Sequence, residues 1–196
     1  FVTRMVSPRT LPKFDFTDGV PDEYATVVVI PALLTGEDEA DSLLQQLELH
    51  YLSNQDPNLY FGLLTDWADA PQKQMPEDKE LVDYALSGIR TLNRRYPRET
   101  GDPFLLFHRE RLWNPSEEIW MGWERKRGKL SEFNQLLEGD QDTSYVAQAG
   151  DLDVLPRIRY VITLDADTGL SRDAAKRLIG ALAHPLNRAV FDPQTG

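Results

Sequence analysis

The chain has 196 residues, 41% of them hydrophobic and 27% charged, with a formal net charge of −11. That is the size of one domain with enough apolar residues for a core, and its acidity disfavours nucleic acid as a partner, because phosphate backbones call for a basic face. It has no cysteine, which excludes disulfides and thiolate metal sites, and its longest apolar runs, such as Val27–Ile30, fall far short of the ~20 residues of a membrane helix.

No basic n-region and apolar h-region open the chain, so no signal peptide is expected. The ends at Phe1 and Gly196 read as the boundaries of a soluble piece of something longer. Residues 1–23, with Pro8, Pro12 and Pro21, read as an extended arm, and 24–196 as the folded domain. Ala25–Ile30 is a continuous β-branched run, suited to a strand buried on both faces, and Pro31 is expected to end it. Glu37–Leu52 places Ala40, Leu43, Leu44, Leu47 and Tyr51 at helical spacing. Leu59–Leu64 is a second strand, ending at Thr65-Asp66.

Pro76–Tyr96 repeats the helical pattern, and Pro103–His108 is a third strand. Trp120–Leu137 reads as a helix, or a loop leading into one, and Asp140–Pro156 as a loop. Arg157–Leu164 is a fourth strand. Ser171–Ala183 is a helix with Ser171 as its N-cap and Asp173 in its first turn, stopped at His184-Pro185. Strand and helix alternate throughout, which argues for a layered α/β fold with a mostly parallel sheet. Ligands of such folds bind at the carboxyl ends of strands, which directs attention to Pro31, Asp66, His108–Glu110 and Asp165–Asp167.

The sharpest local feature is Thr163-Leu164-Asp165-Ala166-Asp167-Thr168. In an extended chain alternate side chains point the same way, so Asp165 and Asp167 would converge beyond the strand and offer hard oxygen ligands to Mg²⁺ or Mn²⁺. The competing reading is a turn that leads into the next helix. Asp151-Leu152-Asp153 has the same spacing without a strand before it, and reads as solvated loop.

Trp123-Glu124-Arg125-Lys126-Arg127-Gly128-Lys129 inverts the local charge of an acidic chain. It suits either a phosphate site, with Gly128 allowing close backbone approach, or an exposed basic helix start. Trp113, Trp120, Met121 and Trp123 are core by default, or else a stacking wall for a sugar. Asp66 and Asp69 are equally a base- or ribose-binding pair and a plain strand-end turn. His108 reads as structural.

Five stretches carry a resemblance: PRTLPKFDFTDGVPDEY, LLTDWADA, LFHRERLWN, WMGWERKRGKLSEFNQLL and RYVITLDADTGLSRDAAKRLIGALAHPLNR. Together they resemble the glycosyltransferase family 84 segment of cyclic β-1,2-glucan synthases, from about Ser7 to Gly196. The resemblance implies a Rossmann-like, three-layer GT-A fold, incomplete at its C-terminus. It implies an inverting glucosyltransferase that takes UDP-glucose as donor and a β-glucan as acceptor, with Mn²⁺ or Mg²⁺ as cofactor. The parent would be a membrane-embedded enzyme with this part on the cytoplasmic face of the bacterial inner membrane.

Carried over by position, Asp167 would be the metal ligand, with Asp165 beside it at the ribose or diphosphate. Lys126, Arg127 and Lys129 would lie near the donor, Asp66 would read the uracil, and Pro31 and Ala32 would lie under the uridine. The general base is expected beyond Gly196, so the chain is expected to bind donor without turning it over. Three other classes compete. An aspartyl phosphatase is disfavoured by Gly169 where its motif needs Thr or Val. A nucleotidyltransferase and a non-catalytic scaffold are separable by product analysis and by nucleotide binding.

Overall fold

The computed structural model describes residues 11–187. A five-stranded sheet runs in the order β6-β3-β2-β1-β7. Its strands are β1 (Thr26–Leu34), β2 (Leu59–Trp67), β3 (Phe104–Arg109), β6 (Tyr145–Ala149) and β7 (Tyr160–Thr163). The pairs β1–β2, β2–β3 and β1–β7 are parallel, and β6 joins β3 antiparallel. The helices are α1 (Glu37–Ser53), α2 (Asp78–Arg95), α3 (Arg125–Leu137) and α4 (Ala174–Ala183). A hairpin of β4 (Leu112–Asn114) and β5 (Ile119–Met121) precedes α3.

Side chains alternate between faces along a strand, and here both faces are covered. Val28 and Ile30 of β1, Phe61 and Leu63 of β2, and Phe104 and Leu106 of β3 pack with α1, α2 and α4. Val27, Val29, Tyr60, Leu64, Leu105 and Phe107 pack on the other face with Phe133 and Leu136 of α3. Double burial is why these strands read as unbroken apolar runs, and each such side chain contributes about 1.5–3 kcal/mol on burial. The result is the three-layer, mostly parallel α/β architecture expected from the alternation of strand and helix.

Several boundaries move for identifiable reasons. Pro31 does not end β1, which continues to Leu34. Val29 O accepts from Leu164 N on the β7 side, so Pro31, two residues on, turns its missing N–H to that same side, where β7 has ended at Thr163. Proline is tolerated where no ladder bond is demanded of it. β2 likewise continues three residues past Leu64, to Trp67.

The stretch 140–156, expected as loop, contains β6 and all but the last residue of a 3-10 turn, Leu152–Arg157. Asp151 accepts a hydrogen bond from Asp153 N at 3.0 Å to start that turn, directly after β6 and Gly150. The start of 120–137 is a strand, not a helix: Trp120 also exchanges two backbone hydrogen bonds with Ala70. Ser171 is not a side-chain cap, since α4 begins at Ala174 behind Asp173, and Ser171 contributes only its carbonyl, to Ala174 N.

Residues 11–21 carry no helix or strand, as expected of an arm, but they lie against the domain. Phe14 N donates to Gly180 O at 3.0 Å, and the rings of Phe14, Phe16, Tyr24 and Tyr160 contact one another in series.

Candidate functional site

The strand order reverses at β1: β2 and β3 are added on one side, β7 on the other. In open α/β sheets ligands settle outside the carboxyl ends of strands at such a reversal. The ends in question are Leu33–Leu34 of β1 and Thr163 of β7, with Leu164 following it. α1 and α4 cover one sheet face there. α3 lies on the other face and brings its first turn up to both strand ends.

Two contacts fix that turn. Lys129 Nζ donates to Ala32 O at 2.6 Å, and Lys126 Nζ donates to Asp165 Oδ1. Pro31 and Ala32 are buried at the end of β1. Arg127 is exposed and pairs with Glu124 at 3.0 Å. The three cations of the basic segment thus have three different surroundings.

Asp165 and Asp167 are both exposed. They do not lie in extended chain: Thr168 N donates to Asp165 O at 2.9 Å, closing a turn with Ala166 and Asp167 at its centre. Strand alternation therefore does not govern their directions. Asp165 meets Lys126, whereas Asp167 has no hydrogen bond or ion pair among the described residues. Asp167, exposed two residues beyond Asp165, offers a carboxylate chemically suited to a hydrated Mg²⁺ or Mn²⁺. Such an ion takes one or two protein carboxylates and completes its shell with water and substrate phosphate. Among the described residues no group of three or more His, Cys, Asp or Glu forms a ready-made cage.

Beneath this surface lies a buried ion cluster. Asp66, 2% exposed at the end of β2, takes Arg109 Nε on Oδ1 at 2.7 Å and Nη2 on Oδ2 at 2.9 Å. Lys129 Nζ stands 3.1 Å from the same Oδ2. Arg109 Nη1 reaches Glu132 Oε2 at 3.1 Å, and Glu132 Oε2 also accepts from Ser144 Oγ at 2.9 Å. Two cations and two carboxylates compensate one another, which is what allows them inside.

Burial works against the Arg109 charge, but the bonds to Asp66 and Glu132 outweigh it and raise its pKa. Burial lowers the Lys129 pKa, opposed by Asp66. Asp66 therefore faces the cluster and not solvent. Its neighbour Asp69 is taken by Arg125 at 2.8 Å.

The cluster also holds the backbone that precedes α3. Arg109 Nη2 donates to Trp123 O at 3.0 Å and to Arg125 O at 3.2 Å, while Glu124 and Arg125 adopt left-handed φ values of 49° and 47°. Gly128 permits this close approach. A Cβ there would stand 1.9 Å from Trp123 O, so the glycine accommodates its own chain's carbonyl. Gly122 also lies close over the Asp66 carboxylate, 2.4 Å from a Cβ to Oδ2.

His108 is fully buried beside Thr65, Nδ1 to Oγ1 2.8 Å, and edge-on to Trp67. Burial lowers its pKa to about 3, so it is a neutral structural ring.

Glu132 escaped the reading of the sequence, and Arg109 entered it only as part of the strand-end set His108–Glu110, without a partner. The local signal was slight: Asp66 and Arg109 each follow an apolar run, and Glu132 follows Lys129 by three residues on the same helix face; that the two runs pair in register is decided by the fold. The tryptophans divide. Trp67 is buried and Trp120 half-buried, with Met121 beside it 4% exposed, whereas Trp113 and Trp123 are 48% and 51% exposed.

No protein-family model matches the chain. Over 194 residues, 98% of its length, it is 45% identical to the cyclic beta-(1,2)-glucan synthase NdvB of Rhizobium meliloti (strain 1021), and it spans 7% of that protein. The chain is homologous to one segment of a cyclic beta-(1,2)-glucan synthase.

Proposed function

We propose that this chain supplies the donor-binding part of a glucosyltransferase that builds β-1,2-glucan, with UDP-glucose as donor and a β-glucan as acceptor. Homology to a glucan synthase supports a glycosyltransferase role. One observation carries the donor site: the exposed Asp165–Asp167 turn and Lys126 meet where the strand order reverses. Asp167, with Asp165 beside it, would hold Mn²⁺ or Mg²⁺, which when bound offsets the charge of the departing nucleoside diphosphate.

The chain's own groups do the rest by position. Lys126 exchanges Asp165 for diphosphate oxygens, a point charge suited to phosphate, and Arg127 adds a second exposed cation nearby. Pro31 and Ala32 form the floor under the uridine. Asp66 and Lys129 act as positioning residues: they hold α3's first turn against the end of β1 so that Lys126 needs no reorganisation when charge develops. The reaction inverts the anomeric centre in this reading, and no residue of the chain is assigned the general base. The parent enzyme would be membrane-embedded; among the described residues no helix is long and apolar enough to cross a membrane.

Calorimetric titration of UDP with and without Mn²⁺ tests the reading. Metal-dependent binding that disappears in Asp167→Ala is the expected result. Absence of binding by the folded chain, or binding indifferent to both the metal and Asp167, overturns it. UDP-glucose against other nucleotide sugars then tests the sugar.

A further inference from the structure

The β4–β5 hairpin and the segment entering α3 enclose a groove of about 500 Å³ that the donor reading leaves unused. Trp113 and Trp123 line it, each about half exposed, with Leu112 at 37% beside them. Large exposed apolar side chains around a concave site mark a place for a partner. Trp113 is backed by Trp120, ring centroids 5.7 Å apart, and Trp123 is held through its carbonyl by Arg109. The Trp113 ring thus has a second ring behind it, and the backbone that carries Trp123 is anchored.

The polar lining says what kind of partner fits. Asn114 Oδ1 accepts from Ser116 N and Glu117 N and shapes the hairpin turn. Arg125, the one cation among the lining residues, is already paired with Asp69 at 2.8 Å and Glu117 at 3.2 Å. Glu124 adds a further carboxylate. An anion finds no unneutralised positive charge here. A neutral polyol finds two flat apolar faces for the C–H sides of its rings, and amide, hydroxyl and carboxylate groups for its hydroxyls. The groove and the candidate donor site draw on successive residues of α3, since Arg125 lines the groove and Lys126 meets Asp165.

We infer that this groove is a saccharide-binding subsite that holds a neutral glucan chain beside the donor, with Trp113 and Trp123 as stacking platforms. The inference rests on the glucosyltransferase reading for the identity of the chain as glucan.

The test is titration of the protein with short linear β-1,2-linked gluco-oligosaccharides, followed by tryptophan fluorescence and calorimetry. It is run on the wild type, Trp113→Ala, Trp123→Ala and the double variant, with UDP–Mn²⁺ titrated into each. Both side chains are half exposed, so the fold should survive, and the urea midpoint of each variant checks this. Expected is saccharide binding weakened at least about tenfold by each substitution, with UDP binding unchanged. A folded wild type that binds no saccharide overturns the inference, as does binding that persists in the double variant. Self-association lost with the tryptophans, without saccharide binding, assigns the patch to protein contact and also overturns it. Tryptophan-dependent saccharide binding in a chain that does not bind UDP leaves the groove standing and removes the donor site.

Discussion

Removing the Asp66 carboxylate leaves Arg109 and Lys129 inside the protein with Glu132 as the remaining anion of the cluster. Breaking a buried pair from one side costs about 3–5 kcal/mol, because an uncompensated charge remains. Asp66→Ala should lose about that much in urea unfolding. Asp165→Ala, whose pair with Lys126 is exposed, should lose no more than about 1 kcal/mol. Equal losses would mean that the buried cluster is not stabilising as argued.

His108 carries a pH signature. Its folded pKa of about 3 lies below the ordinary value near 6.5. Its contribution to stability is therefore intact above pH ~6.5 and is lost as pH falls from there toward ~3. Between pH 7 and 5 this ring should account for roughly 2 kcal/mol. His108→Phe should flatten that limb of a pH–stability profile by about the same amount. His50, whose pKa burial also lowers, preserves part of the slope. The sequence indicated a structural histidine from its place in an apolar strand. It did not indicate that Arg109 beside it is interior, because an arginine at a strand end reads as exposed until its partners are known.

Elements show the same division. β1 to β3, α1 and α2 were legible because continuous apolar runs and a 3.6-residue stripe are local properties. β6 was not: in Tyr145–Ala149 only Ala149 is buried, and its pairing with β3 across some forty residues leaves no local pattern. α3 is the informative case. Gly128 in its first turn looks like a place to gain stability, since alanine is better in a helix by about 1 kcal/mol. Tertiary contact reverses the sign. The added methyl would meet the Trp123 carbonyl, which belongs to the backbone and is anchored by Arg109. Overpacking of this kind costs about 1–3 kcal/mol. Gly128→Ala should lower the thermal midpoint, and a higher midpoint would contradict the packing described.

At the scale of the molecule, a ligand that binds only the folded chain stabilises it by mass action. UDP with Mn²⁺ at about a hundred times its dissociation constant is worth about 2.7 kcal/mol, which in a chain of this size is a rise of roughly 5–10 °C in Tm. Thermal unfolding should show that rise in the wild type and not in Asp167→Ala. A rise of equal size in both would place the nucleotide elsewhere.

Composition and periodicity alone determined that this chain forms a layered α/β domain with doubly buried strands, and that an Asp-x-Asp triplet follows its fourth predicted strand. Those conclusions rest on hydrophobic burial and backbone repeat, which act between near neighbours. Tertiary structure decided the order of the strands. It decided the meeting of Lys126 with Asp165 across 39 residues, the enclosure of Asp66, Arg109, Lys129 and Glu132, and the exposure of two of four tryptophans. Each depends on which distant surfaces pack together, and the free energy of a charge or an indole is set by that environment and not by its neighbours in the chain.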